Sequence, residues 1–131
     1  MKKHLLSFAF LLCASATMAQ WVDDPSQNTL LATGSSDYGE IYISTNPQSG
    51  DTYIQWNNMK SNGWVPSLQK VDVNGVPQWG DDGILISGQQ CATWSNGVAM
   101  THLKDGGAVS AFANADGQCI AVKLNEDGSF A

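Results

Sequence analysis

The stretch KVDVNGVPQWGDDGILIS, Lys70 to Ser87, constrains this chain more than any other. It reads as a strand, a tight Asn74-Gly75 turn, a second strand carrying Trp79, a Gly-Asp-Asp-Gly turn and a short apolar strand. Its first half returns as KLNEDGSFA, Lys123 to Ala131, 53 residues later. Cys119–Asn125 parallels Pro66–Asp72 at the same offset. Earlier segments repeat at an offset of 56: Gly97–Leu103 on Ile41–Pro47, and Ala108–Ala113 on Thr52–Asn57, with Phe112 falling on Trp56. The offset is constant within hairpins and changes only at a loop, as it does in a structural repeat. No segment has a useful 3.6-residue apolar period, so helices are not expected.

A four-stranded antiparallel unit with a period of about fifty residues is the signature of a β-propeller blade. The expected fold class is therefore all-β: antiparallel four-stranded blades, two of them, of an incomplete β-propeller that follows an N-terminal signal peptide. Such a sheet is apolar on both faces and needs stacked neighbours to bury them. In the first unit the expected strands are Glu40–Asn46, Thr52–Asn57, Pro66–Asp72 and Val76–Gly80, the last an edge because of Pro77. Ala108–Ala113 (AVSAFA) is small and apolar enough to be an inner strand near a crowded axis. The expected organisation is residues 1–19 signal peptide, 20–39 lead-in, 40–90 first repeat and 91–131 second repeat. The second repeat stops one position short of a tryptophan equivalent to Trp79, so the expectation is an N-terminal fragment of a longer protein. The rival is a two-blade protein that closes by self-assembly.

The leader is read from Lys2 and Lys3, the apolar run Leu5–Cys13, and small residues with Thr17 and Ala19 at −3 and −1. The run is too short to span a bilayer, and no second apolar segment follows. The expected location is exported: periplasmic, cell-surface or extracellular. The formal net charge is −6 and becomes −8 when Lys2 and Lys3 leave with the leader. There is no arginine, and Lys60, Lys70, Lys104 and Lys123 are the remaining cations. This argues against nucleic acid as a partner and disfavours anionic lipid. Cys91 and Cys119 survive export as a candidate disulfide, the alternative being two buried thiols. One late histidine, His102, and two distant cysteines do not make a zinc site. The Asp-Gly turns lack EF-hand spacing, so no metal or other cofactor is expected.

KVDVNGVPQWG resembles the hairpin of quinoprotein-type propellers, in which an acidic residue, a Gly turn and a following Trp dock one blade on the next. It is more similar still to the DxxGxxxWGxxGI repeats of exported bacterial surface proteins. The resemblance implies inter-blade packing by Asp72, Gly75 and Trp79, and implies no quinone. Trp64 and Trp94, expected in loops, are the candidate ligand-facing aromatics. No catalytic constellation is visible: Asp81 and Asp82 are adjacent and diverge on a strand, and His102 has no identifiable serine or cysteine partner. The expected function is a non-catalytic, exported propeller-like scaffold or a binding surface for glycan or protein, able to self-associate through open sheet edges. The alternative is the N-terminal part of an exported propeller hydrolase acting on polysaccharide, with its catalytic residues elsewhere. Continued DxxGxxxWG repeats would favour the first, a blade with clustered carboxylates the second.

Overall fold

The structure, a computed structural model, describes residues 26, 28–34, 37–61, 63–92 and 98–131. The expected leader, Trp21 and Trp94 lie outside them. The described residues are all-β and contain no helix, hence none long and apolar enough to cross a membrane. They form two antiparallel sheets. The first holds β1 (Tyr38–Thr45), β2 (Thr52–Lys60), β3 (Gly63–Val71) and β4 (Ile84–Leu85) in chain order. The second holds β5 (Ala99–His102), β6 (Ala108–Ala113) and β7 (Cys119–Leu124), also in chain order.

Three expectations about the strands are corrected. The third strand begins at Gly63, three residues before Pro66, and runs through that proline. The Pro66 carbonyl accepts from Ile86 N, on the side away from β2. A strand residue's N–H and C=O point the same way. The missing N–H therefore faces β4, where pairing covers only Ser67 and Leu68, and the β2–β3 ladder loses nothing. The fourth strand is Ile84–Leu85, and Val76–Gly80 contributes a single bridge, Val71 to Pro77. Trp79 turns inward there, and Gly80 (φ +75°) and Gly83 (φ +66°) bring the chain back to the sheet. A side chain at Gly83 would collide with the Leu68 carbonyl, so this approach requires glycine. Finally, Ala108–Ala113 is the middle strand of its sheet, paired on both edges, and does not line an inner edge.

The sheets pack face to face. Strand alternation puts Tyr53, Gln55 and Asn57 on one face of β2, with Lys70, Leu68 and Pro66 opposite them on β3. Across the seam, β6 presents Ala108, Ser110 and Phe112, all essentially buried. One apolar cluster unites Tyr53, Leu68, Trp79 and Ile86 with Ala108 and Leu124. A second packs Tyr42 and Trp64 against Cys91, Val98, Phe112 and Ile120. β2 is also buried on its other face, because Leu31 and Ala32 of the lead-in lie over Ile54, Trp56 and Val71. The Thr29–Thr33 segment is no strand. It is a strap, tied by Thr29 Oγ1 to the Gly75 carbonyl (3.2 Å) and by Thr33 N and Oγ1 to Asp82 Oδ1 (2.7 and 2.8 Å).

Candidate functional site

The seam concentrates the chain's unusual side chains. Trp79 leaves the first sheet and is 7% exposed, with its ring edge-on to Tyr53 at 5.8 Å. Its indole N–H donates to the Glu126 carbonyl at 3.2 Å, in the turn that ends the second sheet. A Cβ added at Gly128 would fall on Ile84 Cδ1 and 3.1 Å from the Trp79 ring. The tryptophan thus rests directly on a bare glycine turn. Burying an aromatic of this size is worth about 4–6 kcal/mol before entropy is counted.

Beside Trp79 lies a charged corner. Lys70 is 6% exposed, with Nζ 3.2 Å from Asp51 and 3.7 Å from Glu126 of the second sheet's turn. The ammonium also sits 5.9 Å from the centre of the Tyr53 ring. The Tyr53 hydroxyl crosses the seam to donate to the Gly106 carbonyl. Burial raises the Tyr53 phenol pKa, and Asp51 adds to this against the opposing charge of Lys70. Burial disfavours the Lys70 ammonium, but the hydrogen bond and charge of Asp51, together with Tyr53 and Glu126, outweigh it and raise its pKa. Three turns converge at this end of the seam and enclose a polar cleft of about 320 Å³ lined by Asn46, Asp51, Lys104, Asp105 and Glu126.

His102 does have a serine partner: Ser44 Oγ lies 2.9 Å from Nδ1 and also receives the His102 backbone N–H at 3.4 Å. This bond crosses from β1 to β5. It engages the hydroxyl twice, which suits a cross-tie between edges rather than a free nucleophile. Sequence reading missed it because the two residues are 58 positions apart and belong to different units.

The named site residues separate. Trp79 bridges the sheets, whereas Asp72 bonds within its own turn and Gly75 meets that turn and the strap. Asp72 Oδ1 accepts from Asn74 N and Val76 N, and Oδ2 from Gln78 Nε2. Gly75 supplies φ +82°. The acid staples the hairpin and leaves sheet-to-sheet contact to the indole. Trp64 is no loop residue: it lies in β3, half-buried in the seam cluster with its ring over Gly39. That placement corrects its expected position in a loop. Trp94 lies outside the described residues.

Cys91 and Cys119 are free. Cys91 is buried in the seam and its thiol meets Asn57 Oδ1 at 3.5 Å. Burial, with the charge of Glu40 nearby, pushes its pKa up. Cys119 alternates with the seam-facing Ile120 and points to the outer face of β7, exposed. The candidate bridge is therefore not formed.

The outer face of the first sheet is the other notable surface. Ile41 and Ile43 are each 66% exposed, beside Leu30 at 65%. Between the strap and β1 runs an almost wholly apolar groove of about 330 Å³ floored by Ile54 and Trp56. No group of three or more His, Cys, Asp or Glu side chains suited to a metal occurs among the described residues. No protein-family model, curated protein or solved structure matches this chain.

Proposed function

We propose that this chain is a non-catalytic, exported scaffold segment of the β-propeller type, in which sheets stack face to face and the free outer faces bind protein. The observation that carries the reading is the seating of Trp79, from the first sheet, on the Glu126–Gly128 turn of the second. A joint of this kind links successive units of a stack.

The repeat is supported by the turns themselves. Asp72 N to Val76 O, Gly75 N to Asp72 O and Gln78 N to Lys70 O recur as Asn125 N to Ser129 O, Gly128 N to Asn125 O and Ala131 N to Lys123 O. Matching the strands through this repeat makes the Ala108–Ser110–Phe112 face of the second sheet equivalent to the Thr52–Ile54–Trp56 face of the first. The former is buried by its neighbour. The latter carries the exposed Ile41 and Ile43 and is covered only in part, by the strap. An exposed aliphatic patch suits a protein partner. With Trp56 and Trp64 turned into packing, a stacking platform for sugar rings has no support among the described residues.

A partner with the right face is the outer side of a second copy's second sheet, where Val109, Ala111 and Ala121 present apolar side chains beside Lys123. Sedimentation of the protein over a range of concentrations tests this. Reversible association that Ile43→Asp abolishes, with the circular dichroism spectrum unchanged, supports the reading. A monomer at every concentration, unchanged by Ile43→Asp, contradicts it.

A further inference from the structure

All the buried side-chain polar atoms without a hydrogen-bond partner among the described residues lie on strands that border the seam: Glu40 Oε2, Gln55 Nε2 and Oε1, Asn57 Nδ2 and Ser110 Oγ. Gln55 and Asn57 are fully buried and Ser110 is 1% exposed. Both polar atoms of Gln55 are unpartnered, so turning its amide over gains nothing. Turning Asn57 over would exchange the Cys91 S–H···O contact for an N–H···S one and leave Oδ1 unpartnered instead. Native interiors rarely leave such groups unpaired, because each gives up a bond that it makes to solvent in the unfolded chain.

Gln55, Asn57 and Ser110 share one region. Gln55 stands between Tyr53, in one apolar cluster, and Asn57, which meets Cys91 in the other. Ser110 stands between Ala108 and Phe112, which belong to those same two clusters. Val122, the β7 partner of Ser110, packs against both. A polar layer therefore lies across the middle of the seam between two apolar ones.

We propose that this layer is a binding site for a small cluster of internal water, held by Gln55 and Ser110 and extending to Asn57. The donor set fits water. Gln55 offers a donor and an acceptor, Ser110 offers both roles, and Asn57 a donor, which match a molecule that gives and receives hydrogen bonds. The amide N–H donors are wrong for a cation, and an apolar guest would satisfy none of these atoms. Water here fixes how the two sheets meet, since a slip of either strand by one residue would replace this layer with apolar side chains.

A high-resolution crystal structure of the protein tests the proposal. Ordered water within hydrogen-bond distance of both the Gln55 amide and Ser110 Oγ is expected. A dry layer, or a direct Gln55–Ser110 hydrogen bond, would overturn it. Gln55→Met gives a second readout. A lower melting temperature is expected when a water anchor is lost, whereas a raised melting temperature would show that the amide had been buried dry. Should that variant not fold, the crystal structure of the unmodified protein still decides.

Discussion

The indole N–H of Trp79 donates to the backbone carbonyl of Glu126, 47 residues further along and in the turn that closes the other sheet. The ring packs edge-on to Tyr53 on one side and over Gly128 on another. Hydrophobic contact and a directed hydrogen bond thus meet in one side chain at the joint. Trp79→Ala is expected to destabilise the protein by about 3–5 kcal/mol, as large aromatic truncations in cores do. Trp79→Phe keeps much of the contact and forfeits the hydrogen bond, worth about 1 kcal/mol, plus some packing. Urea unfolding of the two variants gives both numbers, and equal, small losses would show that the ring is not packed in the seam.

Two glycines separate backbone strain from the joint itself. Gly128 and Gly117 both have positive φ, +84° and +76°. A Cβ at Gly117 meets nothing within 4 Å, whereas one at Gly128 meets Ile84 and Trp79. Gly117→Ala is expected to show the left-handed backbone penalty alone, about 1–2 kcal/mol. Gly128→Ala carries a similar penalty plus the steric clash, and should be clearly worse. Removing the indole in a Trp79→Ala background should narrow the gap, because neighbouring substitutions couple.

The buried corner predicts weakness to alkali. Lys70 and Tyr53 both hold their protons more tightly when folded than their ordinary values of 10.5 and 10.0 allow. The folded state thus binds more protons than the unfolded state above about pH 10, so stability must fall as pH rises there. Their contribution is fully present below the ordinary values and is lost on passing the raised ones. Melting temperature against pH should show this decline, and Tyr53→Phe should make it shallower. An identical slope in the variant would remove Tyr53 from the effect.

The sequence was most legible where chemistry is local. Turns at Asn74-Gly75, Asp116-Gly117 and Asp127-Gly128 are written in residues that tolerate positive φ, and alternation gave the strands between them. The second strand pair was readable for that reason. The short apolar strand at Ile84–Leu85 was legible, but its place as the fourth of its sheet was not, because only two residues pair and an inward-turning Trp79 precedes them. Trp64 read as a loop residue because Gly63 and Pro66 flank it. The ties among Lys70, Glu126, Ser44 and His102 depend on how one sheet lies on the other, which no spacing within a single unit encodes.

The thiols should behave as opposites. Cys119 is exposed on β7, while Cys91 is buried with its pKa pushed up, which lowers its thiolate fraction. Brief alkylation of the native protein, followed by peptide mass mapping, is expected to label Cys119 and spare Cys91, with both labelled after unfolding. Protection of both in the absence of reductant and labelling of both in its presence would indicate the bridge instead.

The most direct test of the stacked sheets is the proton environment of the Trp79 indole in a nuclear Overhauser spectrum. Contacts from the indole N–H to the Gly128 α protons, with ring contacts to the Ile84 methyl, are expected. An indole N–H in fast exchange with solvent, with contacts confined to the first sheet, would contradict the joint on which the scaffold reading rests.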